Sequence, residues 1–328
     1  MLQRRPQETL RSDDVRLCDV VLPLGGEGTV RVRNVAMSLE PYLYGRLSGR
    51  AGYEAAYNLG EPLRGPAVGV IEDSGVQGLP VGAHVLHDYG WRDRAVLSLD
   101  ECTLIDAAHD PKLSLGVLGL TGMTAWVGLR KVAQACEGDT VFISSAAGAV
   151  GSAAVQLALA TGCTVIGSAG SRAKCESVLR LGAHAVFNYR DGSIRDQLRA
   201  SLERVGKTGI DVYFDNVGGE QLEAAIREMA VHGRIALCGM TSAYSASTPQ
   251  PGPSNLLKLV WNRVRMEGFL LRDHRADKSE FLAEMSAAVE ENTVRSLDTV
   301  LPGGLAVAWE SFSRMREGAF VGKVIIDL

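Results

Sequence analysis

The sequence predicts an α/β protein of two domains: an irregular, mostly β domain and a doubly wound, six-stranded parallel sheet. Three observations predict it. The chain has 328 residues, 46% of them hydrophobic, which is too long for one ordinary core. Its first third is rich in short apolar runs broken by glycine and proline. From about Leu120 onward, apolar runs alternate with helical patterns, as expected of βα units whose parallel sheet is covered on both faces.

In the first domain, residues 1–118 completed by a tail at 290–328, the stretch 28–34 alternates as a strand. The runs 68–71 and 83–86 are short, apolar and bounded by glycines. In the second domain, residues 119–289, strands are expected at 140–145, 163–168, 185–188, 210–215, 234–239 and 266–271. Helices are expected at 149–160 and 171–181, with helical patterns between the later strands. Three prolines within 248–253 make that stretch a loop, either a linker or a cover for a substrate. The tail reads as a helix over 305–316 and a strand over 323–328.

Composition narrows the function. Charged residues are 22% and the net charge is −4, which argues against nucleic acid or an anionic membrane as partner. No apolar run is long enough to span a bilayer, and no signal core follows Arg4 and Arg5, so a cytoplasmic protein is expected. The six cysteines are scattered, which excludes a local zinc knuckle or CxxC site. Metal candidates in the first domain are Cys18, Cys102, His84, His87 and His109. His84 and His87 lie three apart in a strand-like run and would face opposite sides, so no catalytic zinc is expected.

The strongest motif reads Ala146-x-Gly148-x-x-Gly151, after a strand and opening a helix. Gly148 lets the backbone approach a pyrophosphate and Gly151 lets the helix pack on the strand. Ala147, Gly148, Ala149, Val150 and Gly151 then bring free N–H groups and the helix dipole to the phosphates. A dinucleotide with a plain ribose calls for an acid about 20 residues further on. None is present there. The stretch supplies Ser168, Gly170, Ser171, Arg172 and Lys174, which suit a 2′-phosphate. Charge-assisted bonds of roughly 1.5–3 kcal/mol each favour NADPH over NADH.

The chain resembles the medium-chain dehydrogenase/reductase superfamily, in its zinc-free branch of leukotriene/prostaglandin reductases and curcumin-type double-bond reductases. The segment MSLEPYLYGRL from Met37 to Leu47 is similar to that branch's SVDPYMRGRM. GLTGMTAW from Gly119, the glycine loop, FNY from Phe187, FDNVGG from Phe214 and GRIALCG from Gly233 are similar to further segments. The resemblance implies a GroES-like catalytic domain with a Rossmann domain inserted, a homodimer, and hydride addition to an activated C=C bond. It also implies that Lys174 and Tyr189 contact the 2′-phosphate, that Asn216 and Gly239 lie along the cofactor, and that Tyr244 is the active-site tyrosine. Two departures stand out. Phe320 occupies the place of the branch's cofactor-contacting Asn in NxGK, and the surroundings of Tyr53 match loosely.

Hydride transfer to an enone puts negative charge on the carbonyl oxygen. Without zinc, a hydrogen-bond donor must meet that charge. Tyr244, Tyr53 and the cofactor's own ribose hydroxyl are the candidates. Of Tyr42 and Tyr44, one shapes the pocket while the other packs. The expected substrate is small, apolar and electron-poor. Protonation of the enolate gives alkene reduction, and capture by a carbon electrophile gives ring closure of a polyene product. Quinone reduction and NADPH binding without turnover are the further alternatives.

Overall fold

The computed structural model describes residues 1–6, 9–49, 54–244 and 251–328, with the backbone alone for Tyr244. Two compact units emerge, Met1–Gly116 with Asp298–Leu328, and Val117–Leu297. Residues 290–297, assigned from sequence to the tail, group with the second unit. There the Gln156 amide donates to the Arg295 carbonyl at 2.9 Å and accepts its N–H at 2.8 Å.

The first unit begins with β1 (Thr29–Ser38), α1 (Leu43–Ser48), β2 (Ala67–Ser74), β3 (His84–His87), β4 (Arg94–Ser98) and β5 (Cys102–Leu104). In β1, Val30, Val32 and Asn34 are buried while Arg31 and Arg33 face water, the two-residue period of a half-buried strand. The strand continues beyond the expected 28–34 because a strand from the far end of the chain, β13 (Lys323–Asp327), pairs with Ala36, Met37 and Ser38.

The second unit contains α2 (Leu120–Trp126), β6 (Thr140–Ile143), α3 (Ala149–Ala160), β7 (Thr164–Ala169), α4 (Arg172–Arg180), β8 (Ala185–Asn188), α5 (Ile194–Arg204) and β9 (Ile210–Asp215). It continues with α6 (Gly219–Glu228), β10 (Met229–Leu237), α7 (Thr241–Tyr244), α8 (Leu257–Asn262), β11 (Arg265–Gly268) and α9 (Lys278–Glu290). The sheet is parallel throughout, in the order β11-β10-β9-β6-β7-β8. Chain order reverses between β6 and β9, the crevice where doubly wound sheets take their ligands. Phe142 of β6 stacks on Tyr213 of β9 with centroids 4.9 Å apart, at the centre of the core. The sixth strand is shorter than the expected 266–271, because a 3-10 segment begins at Leu271. Of the proline loop, 248–250 lie outside the described residues, and 251–253 carry no regular element.

The chain then returns to the first unit with β12 (Asp298–Leu301), α10 (Gly304–Arg316) and β13 (Lys323–Asp327). Its sheet runs β12-β13-β1-β2-β3-β5, with β4 also paired to β1. Sequence reading missed β4, β5 and β12. The last has too few apolar residues to signal itself, and becomes a strand by lying parallel to β13. No helix among the described residues is long and apolar enough to cross a membrane.

Candidate functional site

The glycine loop sits at the carboxyl end of β6. Ala146 replaces the first glycine of the motif and fits because its neighbour across the turn is Gly167, where a Cβ would come within 2.9 Å of the Ala146 methyl. A Cβ on Gly151 would stand 2.2 Å from the Ser145 carbonyl oxygen, so only glycine lets α3 start so close to the strand. Ser145 itself takes a positive φ of 52°. Gly148 is the N-cap of α3 and no side chain caps that end. The N–H groups of Ala149, Val150 and Gly151 are therefore without intrahelical acceptors, and the twelve-residue helix aims its dipole at whatever lies beyond. Ala147 is buried beneath them.

The second part of the site lies at the end of β7. A Cβ on Gly170 would meet the Tyr189 hydroxyl at 2.7 Å, so glycine is what lets that phenol lie over the β7–α4 turn. The Ser171 hydroxyl caps α4 by accepting from the Lys174 N–H at 3.4 Å. Lys174 is half-buried. Burial, and then the like charge of Arg190, lower its pKa. Lys174 stands in the first turn of α4, where positive charge is disfavoured, and the charge of Arg190 also opposes its own, an environment that an anion would relieve.

Two residues read from sequence as phosphate ligands have partners within the protein. Ser168 is wholly buried and its hydroxyl donates to Gln221 Oε1 at 2.5 Å, so it is turned away from the turn. Arg172 is 93% exposed and pairs along the helix with Glu176 at 3.0 Å. Arg190 is the second cation near Lys174. The sequence held it in view, immediately after Tyr189, but nothing local tied it to Lys174.

The third part is the end of β9. Asn216 donates its side-chain amide to the Ser144 carbonyl at 2.8 Å, and its N–H to the Ser144 hydroxyl at 2.9 Å. The Gly239 N–H reaches the Asp215 carbonyl at 3.1 Å, joining β10 to β9. Thr241 and Ser242, opening α7, donate their hydroxyls to the carbonyls of Asn216 and Val217 at 3.1 and 2.6 Å. The backbone of Tyr244 is therefore held at the same carboxyl edge as the glycine loop. Motif matching passed over Ser144 and Asp215 themselves.

In the first unit, Tyr44 is buried in the core, with the Arg316 guanidinium 3.5 Å above its ring. Tyr42 is only partly covered overall, yet its phenol is pushed to a high pKa by burial and then by the Glu40 and Asp88 carboxylates, which keeps it protonated and able to donate. Tyr53 lies outside the described residues. Phe320 packs against the cluster around Met37 and Phe312 and lies under the Arg314 guanidinium at 5.1 Å. His84 and His87 lie on β3, with His87 buried and His84 partly exposed, as expected of opposite faces. Among the described residues no three histidine, cysteine or acidic side chains gather as metal ligands.

The described residues fit a phosphorylated dinucleotide: an uncapped helix end behind a required glycine, and a lysine and an arginine from the next two βα turns. Comparison with known proteins agrees. Residues 149–287 match the family described as zinc-binding dehydrogenase, and residues 1–105 match the N-terminal domain of oxidoreductase. The chain is 32% identical to the NADPH-dependent curcumin reductase of Escherichia coli, over 99% of this chain and 95% of that one. It is 35% identical to the (+)-pulegone reductase of Mentha piperita, over 92% and 87%. Its fold is similar to the crystal structure of CurA from Vibrio vulnificus in complex with NADPH, with TM-score 0.92, 31% identity, and 99% and 97% coverage.

Proposed function

Because the chain belongs to the medium-chain dehydrogenase/reductase superfamily, in its zinc-free double-bond reductase branch, we propose that it delivers hydride to the β-carbon of a small, apolar α,β-unsaturated carbonyl compound. The enzyme is an NADPH-dependent oxidoreductase acting on carbon–carbon double bonds. The observation that carries the cofactor placement is the half-buried Lys174, which shares its surroundings with Arg190 and with the N-terminus of α4.

In this reading Ala149, Val150 and Gly151 hold the pyrophosphate, while Lys174, Arg190, Tyr189 and the Ser171 hydroxyl hold the 2′-phosphate. When bound, NADPH supplies the hydride. Asn216 and Gly239 line the path of the cofactor along the sheet edge, and Phe320 gives an apolar contact in place of the branch's Asn. Tyr244, carried by α7, donates a hydrogen bond to the carbonyl oxygen as negative charge develops there, with Tyr53 as a second donor. Tyr42, kept protonated by burial and the nearby carboxylates, orients the substrate. Tyr44, fixed in the core, is the one that packs. The enolate is then protonated, giving the saturated ketone or aldehyde.

Two experiments test this. Lys174→Glu is expected to raise the KM for NADPH at least a hundredfold while changing that for NADH less than about threefold, a contrast built on charge-assisted bonds to the phosphate. Equal losses would remove the phosphate role. With stereospecifically deuterated NADPH and an enone, mass analysis is expected to find deuterium on the β-carbon. Label on a carbinol carbon, a cyclised product or preferential turnover of quinones would replace the reaction proposed here.

A homodimer completes the reading. Edge strand β11 is exposed at all four positions, and beside it α8 presents Val260 and Trp261 at 70% and 59% exposure. A free strand edge flanked by apolar side chains supports pairing with a second copy. Light scattering at micromolar concentration is expected to give twice the chain mass, and a monomer would remove this step. Six cysteines that all remain free thiols support a reducing, cytoplasmic setting.

A further inference from the structure

Asp215, the last residue of β9, is wholly buried. Its Oδ1 accepts four hydrogen bonds: from the Tyr213 hydroxyl at 2.7 Å, the Gly218 N–H at 2.8 Å, the Val217 N–H at 2.9 Å and the Ser144 hydroxyl at 3.2 Å. Such convergence suits an ionised carboxylate. Oδ2 is buried with no hydrogen-bond partner, so a proton placed there would find no acceptor. Among the described residues, no lysine, arginine or histidine forms an ion pair with this group. Burial pushes the pKa of this carboxyl up, against the pull of the Gly218 and Val217 N–H groups and the Tyr213 and Ser144 hydroxyls, so any charge it carries is held by dipoles alone, with no cation paired to it among the described residues. That arrangement is costly unless something else supplies the opposite charge.

The position of the charge says what that is. Asp215 ends β9 and Ser144 follows β6, and these are the two strands that flank the reversal of chain order. Their hydrogen bond bridges the crevice over which the fold takes its ligand. Asn216, bonded twice to Ser144, belongs to the same network. The oxidised nicotinamide ring carries one positive charge more than the reduced ring. We propose that Asp215 is the built-in counter-charge of that oxidised ring, stabilising bound NADP+ relative to bound NADPH and so favouring hydride release. The proposal rests on the cofactor placement given above. Asp215 gains and loses no proton: the hydride takes two electrons from the cofactor to the substrate carbon, and the positive charge left on the ring is what the carboxylate meets. It acts through its field and by holding the 216–219 loop, and is a positioning residue.

The test is the ratio of dissociation constants for NADPH and NADP+, the first from cofactor fluorescence and the second from calorimetry. Asp215→Asn keeps an acceptor oxygen for the four donors and removes the charge. Relative to NADPH, NADP+ is expected to bind the variant on the order of tenfold more weakly than it binds the wild type, the modest Coulomb difference expected of one charge in a partly screened site. Asp215→Ser, which keeps a hydroxyl to accept from the Val217 and Gly218 N–H groups, is expected to shift the ratio in the same direction. Equal weakening of both forms, or an unchanged ratio, overturns the proposal in favour of a purely structural carboxylate. Should neither variant fold, the wild type decides. NADP+ bound at least as tightly as NADPH supports the counter-charge, and NADP+ bound more than tenfold more weakly overturns it. Wild-type protein that binds neither form would instead refute the cofactor placement.

Discussion

Glu40 in the first unit and Asp215 in the second are both carboxylates withdrawn from water, 2% and 0% exposed, yet the chain treats them oppositely. Glu40 meets the equally buried Lys323 of β13 in an ion pair and also accepts the Ser38 hydroxyl at 2.8 Å. Asp215 meets hydroxyls and backbone N–H groups, and no cation. His87 shows a third solution. Burial, helped by the charge of Arg92, pushes its pKa down to about 4, so it is buried neutral while Nδ1 accepts the Tyr89 N–H at 3.0 Å. Pairing makes the first unit electrostatically self-contained at the seam of β1 and β13. Holding Asp215 by dipoles alone leaves the second unit, on the proposal above, with a charge that a ligand can answer.

The largest effect is expected from breaking the closed pair. Lys323→Met strands a buried carboxylate and is expected to lower stability by about 3–5 kcal/mol in urea unfolding. The double variant Glu40→Gln/Lys323→Met is expected to recover most of that loss. A single-variant cost near zero would mean that the pair does not hold the seam.

Next comes His87, whose folded pKa lies below its unfolded value of about 6.5. Between these values the unfolded chain binds a proton that the folded one refuses. Its contribution to stability is therefore present above pH 6.5 and lost as pH falls toward 4. His87→Asn, which keeps an acceptor for the Tyr89 N–H, is expected to flatten the stability profile in that window by about 2–3 kcal/mol. Parallel profiles for the two proteins would assign the acid loss to other groups.

The smallest expected effect sharpens the contrast at a neutral group. Ser171→Ala removes the cap of α4 and is expected to cost about 1 kcal/mol in urea unfolding without cofactor. An unchanged midpoint would show the 3.4 Å cap contact to be idle.

How much of this was legible follows from the range of each signal. The βα alternation, the glycine loop and the lack of an acid after β7 are read within windows of a dozen residues. Gly170, Ser171 and Lys174 are read that way; in the structure Gly170 lies under the Tyr189 phenol and Ser171 caps the Lys174 N–H. For Ser168 and Arg172, composition near a turn does not say which way a side chain faces. One turned inward to Gln221 and the other along the helix to Glu176. Arg190 gives no local signal, because its relation to Lys174 crosses from one βα turn to the next.

The sequence by itself determined the class of fold and the kind of cofactor, because hydrophobic period, turn glycines and local charge are properties of neighbouring residues. Only the tertiary structure decided that β1 runs on to Ser38, that Asp298–Leu301 is a strand, and that the Asp215 carboxyl is held by Ser144 and Tyr213. Whether a carboxylate is neutralised or left open depends on what burial brings against it. For Glu40 that partner lies 283 residues away in the chain, beyond the reach of any local pattern.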